Sequence, residues 1–166
     1  MSPVAIIVGA PGAGKTTVGR LLAKKLNVEF RDSDVDIEKS AGKSITDIFV
    51  ENGEEEFRAM EVAAIAQALD EHDGVLSLGG GAVLSAQTRD RLHGLPVVWL
   101  QVDLSHAANR VGINTARPLL LGNVRSTLKK LMDEREPLYS EVASIAVDTG
   151  DKNPTAIVEE IASQLV

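Results

Sequence analysis

Three observations predict an α/β fold with helices on both faces of a parallel sheet. Five short apolar segments are spaced along the 166-residue chain, helical patterns separate them, and a glycine-rich turn joins the first segment to the first helix. Alternation of strands and helices implies parallel pairing, because a parallel neighbour is reached only through a crossover. Strands are expected over 4–8, 29–33, 75–78, 97–102 and 144–147. Most are short and nearly all apolar, as strands buried on both faces must be. At this length one domain, 1–166, is expected.

Residues 4–8 read Val-Ala-Ile-Ile-Val, followed by GAPGAGKTT at 9–17. The helix over 15–26 puts Leu21, Leu22 and Leu26 on one side and charges on the other. The second strand closes on Phe30-Arg-Asp-Ser-Asp-Val35, with a helix to follow over 35–41. In the helix over 54–69, Phe57, Met60, Ala64 and Leu69 recur at helical spacing. The third strand ends in Gly79-Gly80-Gly81. The fourth leads to a helix over 104–111, for which Asp103 or Ser105 is the expected cap. Residues 112–123 carry glycine near both ends, a proline and little helical period, which predicts a mobile flap. Helices over 124–134 and 154–166 complete the chain.

Composition narrows the function. Hydrophobic content of 44% and charged content of 25% are ordinary for a soluble globular protein. A net charge of −7 argues against nucleic-acid or anionic-membrane partners, which need a basic field. The chain has no cysteine, which removes disulfides, thiol nucleophiles and thiolate metal sites. His72, His93 and His106 lack ligand spacing and are expected as solvated surface residues. The N-terminus enters a strand at once and no apolar run reaches membrane-spanning length, so a cytoplasmic protein is expected. No long apolar stripe is left over, so a monomer is expected.

Gly9, Gly14, Lys15 and Thr16 fit G-x-x-x-x-G-K-[ST], a match that chance gives in roughly one chain in a hundred or fewer. Glycines let backbone N–H groups turn toward phosphate oxygens, and the helix beginning near Gly14 adds its positive end. Lys15 is suited to the β and γ phosphates and the Thr16 hydroxyl to Mg²⁺, whereas Thr17 packs or caps. Asp32 and Asp34 stand two apart, a spacing that on a strand points both into one space at the ligand-binding end of a parallel sheet. One carboxylate could orient water on Mg²⁺ and the other accept the proton of an attacking hydroxyl. A helix cap is the alternative for one of them.

Arg58 and Glu61 share a helix face as an exposed ion pair or as an arginine held ready for a carboxylate; the fragment does not choose. The glycine triplet allows close approach of a ligand to the backbone, or is a simple turn. Arg110 precedes the flap and Arg117 lies in it, where closure would bring positive charge over a γ-phosphate. Arg135 is expected at a helix C-terminus, where a cation is favourable in any case.

GAPGAGKTT at 9–17, DSDVDIE at 32–38, SITDIFVENGEEEFRAME at 44–61, LSLGGGAV at 76–83, TARPLL at 115–120 and RxPLY at 135–139 together resemble the shikimate kinases over nearly the whole chain. The resemblance implies a three-layer P-loop kinase fold with sheet order 2-3-1-4-5, an acceptor region over about 33–61 and a lid over about 112–124. It implies ATP-dependent, Mg²⁺-assisted phosphorylation of the 3-hydroxyl of shikimate, on the route to chorismate. Gly12, Ala13, Gly14, Lys15, Thr16, Thr17, Arg110, Arg117, Lys152 and Pro154 would then form the ATP site, with Thr16 and Asp32 as the Mg²⁺ shell. Asp34, Arg58, Glu61, Gly80, Gly81 and Arg135 would hold shikimate, Arg58 and Arg135 taking its carboxylate and Glu61 orienting Arg58. Lys15, Asp34 and Arg117 would be catalytic. One departure is Lys152, where the family often has arginine; lysine lacks the flat group that stacks on a base. A related enzyme such as gluconate kinase and a non-catalytic nucleotide-binding regulator are the alternatives.

Overall fold

The structure, a computed structural model, describes residues 2–113 and 124–165. Of the predicted flap at 112–123, residues 114–123, with Arg117, lie outside the described residues, while Gly112 and Ile113 belong to a helix. Strand β1 (Ala5–Val8) is the centre of a five-stranded parallel sheet with β2 (Phe30–Asp32), β3 (Val75–Ser77), β4 (Val97–Gln101) and β5 (Ile145–Asp148), in the order β2-β3-β1-β4-β5. Alternation along β1 feeds two cores. Ala5 and Ile7 face Val18 and Leu22 of α1 (Lys15–Leu26) and Ile157 and Ile161 of α8 (Pro154–Leu165). Ile6 and Val8 face Ile65 and Leu69 of α4 (Glu54–Glu71), Leu92 of α5 (Ala86–Leu92) and Tyr139 and Val142 of α7 (Val124–Val142). Helices α2 (Ser33–Ala41) and α3 (Ile45–Asn52) close a third core on α4, through Ile37, Ile45, Ile48 and Phe57. Helix α6 (Leu104–Ile113) packs on α7 through Ala107 and Leu128.

Four sequence expectations need correction. Strand β2 stops at Asp32 and Ser33 already opens α2, so Asp34 is helical and does not share a strand face with Asp32. Helix α7 runs through Pro137 to Val142, so Arg135 lies inside a helix and not at its end. Helices α3 and α5 were not expected; each is short and capped by a serine, Ser44 and Ser85 respectively. His72 is buried, its Nε2 3.0 Å from the Val75 carbonyl, and is not a solvated surface residue. No helix among the described residues is long and apolar enough to cross a membrane.

Candidate active site

The C-terminal ends of the parallel strands gather the predicted site residues. After β1 the chain turns through Gly9 to Gly14, whose positive φ values of 156° at Gly9, 83° at Gly12 and 88° at Gly14 no other residue adopts cheaply at this spacing. Lys15 Nζ lies back along this loop, donating to the carbonyls of Gly9 at 2.9 Å and Ala10 at 3.0 Å. Thr16 Oγ1 donates to Asp32 Oδ2 at 3.4 Å, while Asp32 Oδ1 accepts from the backbone N–H of Asp34 at 2.8 Å. One carboxylate therefore plays both expected parts: it caps α2 and faces the Thr16 hydroxyl. The cap also fixes Asp34 beside Asp32. Burial, and then the Asp34 charge, push the Asp32 carboxyl above the usual range, against the Asp34 N–H and the Lys15 ammonium. A hydroxyl and a carboxylate next to the phosphate loop form a hard-oxygen donor set, and the crowding of negative charge at Asp32 and Asp34 fits a divalent cation. Mg²⁺ needs few protein ligands, so the lack of any cluster of three or more acidic or histidine groups among the described residues is consistent with this.

The second half of the site is built on α4, α7 and the glycine triplet. Arg58 donates to Glu61 Oε1 at 2.9 Å and to Glu54 Oε2 at 3.3 Å. Glu61 is buried and the Arg58 side chain is 20% exposed, so this is not the exposed pair that was the simpler option. Arg135 is 5% exposed, on the same α7 face as Leu128, Tyr139 and Val142. Burial first, and then the nearby Arg58 charge, hold its guanidinium below the usual arginine range, partly offset by Tyr139 and Glu61. Two neighbouring arginines, one buried and one largely so, could together hold an anion. Neither Arg58 Nε nor Arg135 Nε has a hydrogen-bond partner among the described residues.

The glycine triplet joins the two halves. A β-carbon on Gly79 would stand 2.7 Å from Asp34 Oδ1 and 3.2 Å from Glu61 Oε2, and one on Gly80 would stand 3.1 Å from Pro11 of the phosphate loop. A β-carbon on Gly81 would collide with the Arg58 guanidinium. Gly79→Ala should therefore displace the Asp34 and Glu61 carboxylates by a few tenths of an ångström or more. We expect kcat/KM for the acceptor to fall about 10- to 100-fold, with nucleotide affinity unchanged, in steady-state kinetics.

Sequence reading gave no role to two residues that hold this loop. Tyr139 Oη donates to the Gly80 carbonyl at 2.6 Å and bonds to Arg135, tying α7 to the triplet. Ser33 Oγ, fully buried, accepts from the Gly79 N–H at 3.3 Å. The signal for Tyr139 and Arg135 was available in the four-residue spacing that places both on one helical stripe. Of the remaining predicted residues, Arg110 donates to the Gly12 carbonyl at 2.8 Å, across the phosphate loop. Gly12, Ala13 and Thr17 lie in the loop and the first turn of α1. Pro154 opens α8, and Lys152 pairs with Glu160 at 3.3 Å. Asp103 is the cap of α6, its Oδ1 accepting from His106 N–H at 2.8 Å.

The family model described as "Shikimate kinase" matches residues 11–166. The chain is similar to the shikimate kinase of Saccharopolyspora erythraea, 57% identical over 99% of this chain and 95% of the relative, and to that of Thermobifida fusca, 53% identical over 98% and 95%. In three dimensions it is similar to a shikimate kinase from Acinetobacter baumannii solved in complex with shikimate. The TM-score is 0.94 at 35% identity, over 99% of this chain and 93% of that one. With the phosphate loop, the acidic pair and the arginine pair assembled at one end of the sheet, the chain belongs to the shikimate kinase family.

Proposed function

We propose that the protein transfers the γ-phosphoryl group of ATP to the 3-hydroxyl of shikimate, giving shikimate 3-phosphate and ADP on the route to chorismate. The observation that carries the reading is that the Asp34 N–H donates to Asp32 Oδ1, while the glycine triplet borders Asp34, Pro11 of the phosphate loop and the Arg58 guanidinium. A phosphoryl donor held on one side and a hydroxy acid held on the other then meet within reach of one carboxylate.

Lys15 would exchange its two loop carbonyls for phosphate oxygens, and the Gly12–Gly14 N–H groups would hold the β-phosphate. Arg58 and Arg135 would take the acid's carboxylate, with Glu61 holding the Arg58 guanidinium in plane. Asp34 would accept the proton of the acceptor hydroxyl as its oxygen bonds to the γ-phosphorus and the bond from that phosphorus to the bridging β–γ oxygen breaks, the electron pair leaving with ADP. Mg²⁺, held by Thr16 and Asp32, would neutralise charge on the phosphate oxygens. These roles rest on positioning and electrostatics, which supply most of the catalysis in phosphoryl transfer.

A net charge of −7 disfavours nucleic-acid and anionic-membrane partners, and the enzyme would act as a cytoplasmic monomer. The region over 33–61 would serve as the acceptor side of one 1–166 domain. A coupled ADP-release assay tests the reading. Turnover is expected with shikimate and Mg²⁺ and not with gluconate. ADP release with gluconate alone, or none with either acid, would overturn it.

A further inference from the structure

We propose that His106 is a positioning residue for the nucleoside end of the nucleotide, acting as a proton-dependent clamp between α6 and the loop after β5. The inference rests on the ATP site proposed above. Strand β1, which delivers the phosphate loop, has β3 and β2 on one side and β4 and β5 on the other. The acceptor groups come from elements on the β3 side or from α7. The resemblance places the nucleoside by Arg110, Lys152 and Pro154, on the β4–β5 side, which α6 and residues 149–153 border.

Helix α6 is fastened to both borders of that space by residues one turn apart on one face. Arg110 donates to the Gly12 carbonyl of the phosphate loop at 2.8 Å. His106 Nδ1 lies 2.6 Å from Asp103 Oδ2 and its Nε2 lies 2.8 Å from Asp151 Oδ1. A carboxylate can only accept, so both contacts are hydrogen bonds only when both ring nitrogens carry protons. The rest of the loop is already anchored elsewhere. Thr149 Oγ1 donates to the Gln101 carbonyl at 2.7 Å, Gly150 N–H to Asp148 Oδ1 at 3.0 Å, and Lys152 pairs with Glu160 of α8. The His106–Asp151 contact joins this loop to α6. It also sits next to Lys152, which is directed to α8.

The charged surroundings of the imidazole are simple. Asp103 belongs to the α6 cap and Asp151 to the loop that also carries Asp148 and Lys152, and the Arg110 cation lies one turn along α6 on the same face. The face of α6 turned to α7 is apolar, with Leu104, Ala107 and Ala108 against Leu128, Leu131 and Met132. The carboxylates, Asp151 before Asp103, hold the imidazolium above its ordinary range. A raised histidine pKa means the clamp is present at lower pH and is lost as pH rises through that raised value.

Titration calorimetry of ADP against the full chain tests this, between a lower pH at which the imidazolium is held and a higher pH beyond its raised range. Wild-type affinity is expected to weaken about threefold across the range, the scale of an exposed ion pair. His106→Gln should bind ADP about threefold more weakly at the lower pH and show no further loss. Asp151→Asn should do the same, and in both variants the KM for shikimate should stay unchanged. Wild-type ADP affinity in either variant at the lower pH, a pH dependence retained in His106→Gln, or an equal rise in the KM for shikimate would each overturn the clamp. The calorimetry does not need turnover. A protein that shows this ADP pattern yet fails the coupled assay keeps the clamp and loses the proposed reaction.

Discussion

Asp34→Asn is expected to lower turnover about 10²- to 10⁴-fold while ADP binds as in the wild type, because the amide keeps the shape of the carboxylate and loses its basicity. The geometry makes this a sharp test. The Asp34 backbone N–H caps Asp32 Oδ1, and that bond survives the substitution. Asp32 still faces Thr16, so the proposed metal side is untouched. The substitution also removes one of the two neighbouring negative charges. Since the Asp34 charge is among the causes that raise the Asp32 carboxyl, Asp32 should then ionise more readily. Nucleotide affinity in the presence of Mg²⁺ is therefore expected to hold. Turnover within a few-fold of wild type in a coupled assay would remove Asp34 from the proton transfer. A parallel loss of ADP affinity would mean that the residue acts on the phosphate side.

What the sequence made legible, and what it hid, follows from how local each signal is. The phosphate loop is a contiguous nine-residue signature between an apolar strand and an amphipathic helix, so strand, loop and helix could all be read directly. The order of the strands is not local; it came from the resemblance to a family, and the structure has that order. The acidic pair came out close together for a reason the spacing did not contain. A strand reading put both side chains on one face, whereas the chain turns at Asp32 and a cap brings Asp34 alongside. The helix was expected only over 124–134, yet α7 passes Pro137 and continues for five residues beyond it. Both Pro137 and Asp133, whose carbonyl loses its partner, lie on the exposed side, where water can satisfy that carbonyl. With the helix ended too soon, Arg135 was taken for a terminal cation. The buried stripe that it shares with Tyr139 was missed. Helix α3 buries only Ile45 and Ile48, too few positions for its period to stand out from the flanking loops.

Replacement of Arg135 separates binding from stability, because the two effects should have opposite signs. Arg135 is buried, its charge is disfavoured by desolvation and by Arg58, and its Nε lacks a partner among the described residues. Without a bound anion this cation is a cost to the fold. Methionine fills a similar volume without the charge, and removal of a poorly compensated buried charge is expected to stabilise the free protein by about 1 kcal/mol, or about 2–4 °C in Tm. The Tyr139 bond to the Gly80 carbonyl does not depend on the guanidinium and should keep the glycine triplet in place. Binding runs the other way. A carboxylate entering the site would lose one of its two arginines, and truncating a buried charge partner costs about 2–5 kcal/mol, so the KM for shikimate should rise at least about 30-fold in Arg135→Met. Shikimate should raise the Tm of the wild type and leave that of the variant nearly unmoved. Arg58→Met supplies the contrast. It weakens shikimate binding too, but it takes from the buried Glu61 the cation 2.9 Å away, so the free protein should lose about 1–3 kcal/mol. Differential scanning calorimetry of the two variants, with and without shikimate, checks all four signs. If Arg135→Met melts well below the wild type, the arginine is part of the structural frame. If its shikimate KM is unchanged, the acid's carboxylate is held elsewhere.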